Sequence, residues 1–137
     1  MSDRPAPEPI TTRAEFRLGE RLHNEGKHYE AHEAWEQLWR QEEDERDRRL
    51  VQGLIQVTSA FHKLLVHRMP TGAARLLARG LDKLDSFPDD PPGVDLGAFR
   101  RAARLCLARI ESMGADATRI DSLAPSEIPP LRRTDGE

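Results

Sequence analysis

The segment "LVQGLIQVTSAFHKLL" constrains this chain more than any other. Leu50, Gly53, Leu54, Val57, Ala60, Phe61 and Leu64 recur at spacings of three and four, which places them on one stripe of an α-helix. The spacing predicts a helix from about Asp47 to His67. An apolar stripe of that length has to be covered by other elements, and the rest of the sequence offers only helices to cover it.

Four further helices follow from the same period and from stop signals. The first runs from Thr12 to Asn24, with Thr12 and Glu15 as a capping box and Gly26 as its stop. The second covers Tyr29 to Glu42 and turns Ala31, Trp35 and Leu38 to one side, with Trp39 at the edge of that face. After "MPTG", Thr71 is expected to cap a fourth helix reaching Ser86, whose small residues Ala73 and Gly80 allow close helix approach. After "FPDDPPGVD", Asp95 caps a fifth, Leu96 to Met113. Gly53 is expected to mark the place where Trp35 or Trp39 crowds the third helix.

These elements predict an all-α protein, a single bundle of about five helices with disordered or extended N- and C-terminal tails. Residues 1–10, with three prolines, read as a flexible leader, residues 11–114 as the helical domain, and residues 115–137 as an extended, proline-containing tail pinned by Leu123 or Leu131. The 137 residues suffice for one modest core.

Composition narrows the function classes. No apolar run approaches a membrane-spanning length, and no basic-then-apolar leader opens the sequence, so a cytoplasmic protein without membrane contact is expected. The single Cys106 excludes an intramolecular disulfide and any zinc site needing two thiolates. It shares a stripe with Phe99, Ala103 and Ile110, as a buried, inert thiol would. A net charge of −3 gives no general pull toward nucleic acid. The local exception is a set of arginines, Arg75 and Arg79 on the fourth helix with Arg100, Arg101 and Arg104 on the fifth, which could meet phosphates weakly.

Chemistry concentrates in "HYEAHEAWEQLWRQEE", His28 to Glu43. His32 and Glu36 stand four apart on one helix face, so the carboxylate can orient the imidazole. Such a pair serves a general base or a metal ligand set, with Gln56 as a substrate hydrogen-bond donor. It serves equally as a structural brace, in which His32 and Glu36 meet Gln52 and Gln56 across the contact between the second and third helices. In that case His32→Ala costs about 1–3 kcal/mol, the range for stranding a buried polar partner. Tyr29, Glu33, Trp39, Gln52 and His62 are the candidate ligand contacts. For a divalent metal the candidates are His28, His32, Glu36 and His62, although "HEAWE" lacks the second histidine of a zinc-protease helix.

From "FRLGERLHNEGKHYEAHEAWEQLW" through "LVQGLIQVTSAFHKLL" to "PTGAARLLARGLDKL", Phe16 to Leu84, the sequence resembles a bacterial and archaeal family labelled domain of unknown function 309. The most specific pieces are "YEAHEAWEQLW" and "QGLIQ". The resemblance maps the family's motif to Tyr29, Glu30, His32, Glu33, Glu36 and Trp39, and to Gly53, Leu54, Ile55, Gln56 and His62. It implies an all-helical fold and no established reaction. One departure is "LHN", where relatives place an aromatic before the asparagine and this chain has His23.

The residues favour a non-catalytic protein-interaction or regulatory module with a structural His/Glu/Gln network between the second and third helices. The alternatives are a small metal-dependent or hydrolase-like enzyme using His32 and Glu36, and a weak nucleic-acid binder through the arginine-bearing helices. No cofactor is expected beyond a divalent metal in the second case. The expected partner is another protein or a second copy of the chain.

Overall fold

The computed structural model describes residues 8–135. Its five α-helices are α1 (Ala14–Asn24), α2 (His28–Gln41), α3 (Glu45–Leu65), α4 (Pro70–Leu84) and α5 (Leu96–Met113). Short 3-10 turns precede α1 at Ile10–Thr12 and follow α5 at Ala117–Ser122 and Pro125–Glu127. The all-α bundle is as the sequence predicts, and among the described residues no helix is long and apolar enough to cross a membrane.

Helix α3 is the centre. All seven residues of its predicted stripe are buried, with α4 on one flank and the α1–α2 hairpin on the other. Burying side chains such as Leu54, Phe61 and Leu64 contributes about 1.5–3 kcal/mol each. Helix α5 adds its own stripe of Phe99, Ala103, Cys106 and Ile110 beside α4. Burial pushes the Cys106 thiol up to about 12, which keeps it protonated and unreactive at neutral pH.

Close approach depends on two glycine contacts, and one of them corrects the sequence reading. A Cβ on Gly53 would lie 2.7 Å from a Leu84 methyl, and one on Gly80 would lie 2.8 Å from the Gly53 carbonyl. Gly53 therefore admits α4, as Gly80 does from the other side, and no tryptophan. Trp35 packs instead on Gly19 of α1.

Helix starts follow local hydrogen bonding more than the sequence rule alone indicates. Asp95 caps α5 through the Ala98 amide at 2.9 Å. Asp44 caps α3 through the Asp47 amide at 2.9 Å, so that helix begins earlier than its apolar period shows. The expected Thr12–Glu15 box does not form, because Thr12 belongs to the 3-10 turn and donates to the Pro9 carbonyl at 2.7 Å. Thr71 does not cap α4 either, since Pro70 already occupies its first turn.

Residues 8–12 and 115–135 are held more firmly than their composition indicates. Of the expected leader, residues 1–7 lie outside the described residues, while Ile10 is in the core. In the C-terminal stretch Leu131 is fully buried and Leu123 packs on the core from its edge. Polar contacts add to both. The Asn24 side chain accepts from the Leu131 amide and donates to its carbonyl, each at 2.9 Å. The almost fully buried Arg133 guanidinium donates to Glu20 at 3.1 Å and to the Thr11 carbonyl at 3.0 Å. Arg68 holds Asp121 at 3.0 Å from the turn after α3. The tail is thereby laid back across the α1–α2 corner.

Candidate functional site

The side chains singled out in α2 lie on a half-exposed edge of that helix. His32 Nε2 is 2.9 Å from a Glu36 oxygen, each side chain about one-third exposed, and Glu36 also pairs with Arg40. This forms a one-helix ladder of the i, i+4 kind, open to water. Gln56 does not join it. Its Oε1 accepts from Lys83 Nζ of α4 at 2.8 Å, because the glutamine edge of α3 turns toward α4.

The expected His/Glu/Gln network across α2 and α3 is thus replaced by separate contacts. His32→Ala is expected to cost less than about 1 kcal/mol, as exposed pairs do, when measured by urea denaturation. A loss of about 3 kcal/mol would restore the buried-seam reading.

Of the other candidates, Tyr29 lies between His32 and His62. Tyr29 is half exposed, with its ring centroid 5.3 Å from that of His62 and 6.0 Å from that of His32. His62 in turn stacks edge-on with His67 at 5.0 Å. Trp39 carries the Arg48 guanidinium 4.2 Å above its ring, and Arg48 donates to the Trp39 and Glu42 carbonyls at the end of α2. Gln52 is half-buried on α3 and Glu33 is exposed on α2. Among the described residues no three His, Cys, Asp or Glu side chains gather as a metal site would need, so His28, His32, Glu36 and His62 do not converge. Of the arginines on α4 and α5, Arg100 and Arg104 are engaged by Asp85.

What does cross from α2 to α3 is a chain of buried polar groups that includes only one residue from the sequence-based candidates. His28, at the first position of α2, brings Nδ1 to 3.2 Å from the Thr58 hydroxyl of α3. His23, near the end of α1, brings its own Nδ1 to 3.0 Å from the same hydroxyl, and its Nε2 to 2.8 Å from the Pro129 carbonyl of the tail. The tight turn at Gly26, whose φ of 80° favours glycine, sets the two imidazoles face to edge with centroids 5.0 Å apart. Phe61 and Phe99 close around them.

The protons in this chain can be assigned from its chemistry. A carbonyl oxygen only accepts, so His23 Nε2 carries the hydrogen and His23 Nδ1 is an acceptor. The Thr58 hydroxyl donates to it, which leaves the Thr58 oxygen to accept from His28 Nδ1–H. Burial lowers His23 to about 4, and burial together with the neighbouring His23 and His62 lowers His28 to about 3. At neutral pH the two rings carry no charge, and the remaining nitrogen, His28 Nε2, is an unprotonated acceptor.

The segment around these groups can now be placed. One family model, domain of unknown function (DUF309), matches residues 16–76. Residues 16–76 are similar to that family. No curated protein and no solved structure matches the chain. The DUF309 segment contains His23, His28 and Thr58 as well as His32 and Glu36, whereas Pro129 comes from outside it. His23 also explains the departure at "LHN". It fills an aromatic position, with ring contacts to Trp35, Phe61 and Phe99, and adds two hydrogen bonds that a phenyl ring lacks.

Thr58 and His23 were missed from sequence. The signal for Thr58 was present: a lone hydroxyl two turns from Val51 on an otherwise apolar face needs a partner when buried. For His23 the local signal is only the departure at "LHN", which does not name its second partner, a main-chain carbonyl 106 residues away.

Proposed function

We propose that this helical domain is a non-catalytic binding module that works through contact with another protein. The observation that carries the reading is a shallow groove of about 400 Å³ between α1 and α2. Leu18, Leu22, Tyr29 and Ala34 form its floor, and Glu30, Glu33 and Gln37 its rim. Leu18 is 38% exposed and Tyr29 51%, so large apolar groups face water side by side. Neither Glu30 nor Glu33 forms an ion pair with a described residue. A hydrogen bond to the Glu33 carboxylate, and then its charge, raise the Tyr29 phenol above its ordinary value.

An apolar floor with acidic edges suits a helix whose apolar stripe is flanked by lysine or arginine. The His32–Glu36 pair lies outside the walls of this groove and is not required by the reading.

The test is an NMR titration of the ¹⁵N-labelled protein with a synthetic amphipathic peptide bearing leucines at helical spacing between lysines. Saturable shifts at Leu18, Leu22, Tyr29 and Ala34 are expected. The double substitution Glu30→Lys with Glu33→Lys should weaken binding at least about fivefold, as reversal of two rim charges does. Equal binding of a glutamate-flanked peptide, or shifts elsewhere on the surface, would refute the proposal.

A further inference from the structure

A second surface, which shares no lining residue with the α1–α2 groove, has the features of a small-molecule site. The tail, laid back over the α1–α2 turn, leaves a cleft of about 340 Å³ there. Pockets that take small molecules span roughly 300–1,000 Å³. Its walls are mainly apolar: Leu65 from the end of α3, and Leu123, Pro125, Ile128 and Pro130 from the tail. His28 lines the cleft and is 5% exposed.

One polar atom in this cleft has its role fixed by the protein. The Pro129–His23–Thr58 chain holds the hydrogen of His28 on Nδ1, as derived above, so Nε2 presents a lone pair. No described residue partners Nε2. Among the described residues no buried side-chain nitrogen or oxygen lacks a hydrogen-bond partner, so Nε2 is not sealed in; His28 lines this cleft and, on the other side of its ring, a smaller depression beside Tyr29, His62 and Val66. An acceptor held in one tautomer inside an apolar wall selects for a ligand that donates.

We propose that this cleft binds an uncharged small molecule with a flat apolar body and one N–H or O–H group, which donates to His28 Nε2. Proline faces suit a ring, and the neutral imidazole suits a neutral donor rather than an anion. The site depends on the tail as much as on the DUF309 segment, since the tail supplies both the outer wall and the carbonyl that starts the hydrogen-bond chain.

The experiment compares indole with 1-methylindole, which has the same flat body without the N–H. Side-chain ¹⁵N spectra of the full chain at pH 7.5 should show His23 protonated on Nε2 and His28 on Nδ1. Indole should move the His28 Nε2 resonance saturably, with backbone shifts at Leu65, Leu123 and Ile128. It should bind about three- to tenfold more tightly than 1-methylindole, the range for one neutral hydrogen bond. Equal affinity for the two probes would overturn the proposal, as would a His28 protonated on Nε2 or the absence of a saturable shift. Shifts confined to Tyr29, His62 and Val66 would place the probe on the other side of the imidazole and overturn it too. These readouts do not involve the groove at Leu18 and Tyr29, so this proposal and the protein-contact reading can fail separately.

Discussion

Between pH 6.5 and pH 4 the protein is expected to lose on the order of 3–6 kcal/mol of stability, enough to unfold a domain of ordinary stability. The cause is the neutral histidine pair. In the unfolded chain both imidazoles titrate near 6.5, whereas in the fold His23 is lowered to about 4 and His28 to about 3. The unfolded state therefore binds protons in this window that the native state refuses. A group whose native pKa is depressed contributes its full stability above the unfolded value, and loses it as pH falls toward the native one. Each unit of difference corresponds to about 1.4 kcal/mol, and the two rings share one hydroxyl, so they are counted as one coupled network and not as two independent sums. Urea denaturation at pH 7.5, 6.5, 5.5 and 4.5 measures the effect. Burial raises the Glu20 and Asp47 carboxylates, but a raised carboxylate favours the native state as pH falls, so a loss of stability on acidification above pH 5 reports the histidines. His23→Phe, which retains a ring at the same position, should reduce that slope by about half. A flat profile from pH 7 to pH 5 would mean that the pair is not buried and neutral as described.

The bundle was legible because its signals are local. Leu50 to Leu64 on α3, and Phe99 to Ile110 on α5, repeat with the helical period, and every residue of those stripes is buried. Where a feature depends on which helix lies opposite, the same sequence misleads. Gly53 marks a close approach, but nothing local says that Gly80, and not a tryptophan, stands across from it. Gln56 reads as a partner for α2 until the packing of α3 on α4 hands it to Lys83. In the site, "HEAWE" draws notice because its charges crowd together in sequence, and the fold leaves its His–Glu pair at the edge. The buried polar chain is assembled from single residues of α1, α2 and α3 and a tail carbonyl. No spacing rule connects such residues, and a main-chain acceptor has no residue type to recognise. The tail shows the same limit, because the Asn24 clamp on Leu131 pairs a side chain with a backbone segment.

Gly19→Ala is expected to destabilise the protein by roughly 2–4 kcal/mol, although alanine is the better helix former by about 1 kcal/mol. The sign depends on what the new methyl group meets. A Cβ at Gly19 would overlap the indole of Trp35, which is fully buried and donates its N–H to the Phe16 carbonyl at 3.0 Å. Phe16 and His23 flank that ring, so it has no free direction in which to move. Overpacking costs about 1–3 kcal/mol, and stranding the indole N–H a similar amount, so together they exceed the gain in helix propensity. Gly72→Ala is the matched control. There the Cβ would meet only the far end of the flexible Lys63 chain, which can swing into water, so that change should be neutral or stabilising by up to about 1 kcal/mol. Urea denaturation followed by tryptophan fluorescence separates the two. Because Gly19 sets how near α1 lies to α2, the destabilised variant should also disturb the His23–His28 pair at the end of that hairpin. Its pH slope above pH 5 should then fall below that of the wild type. A Gly19→Ala protein with unchanged stability would show that the α1–α2 approach can relax, and that Trp35 does not fix the spacing on which the histidine pair depends.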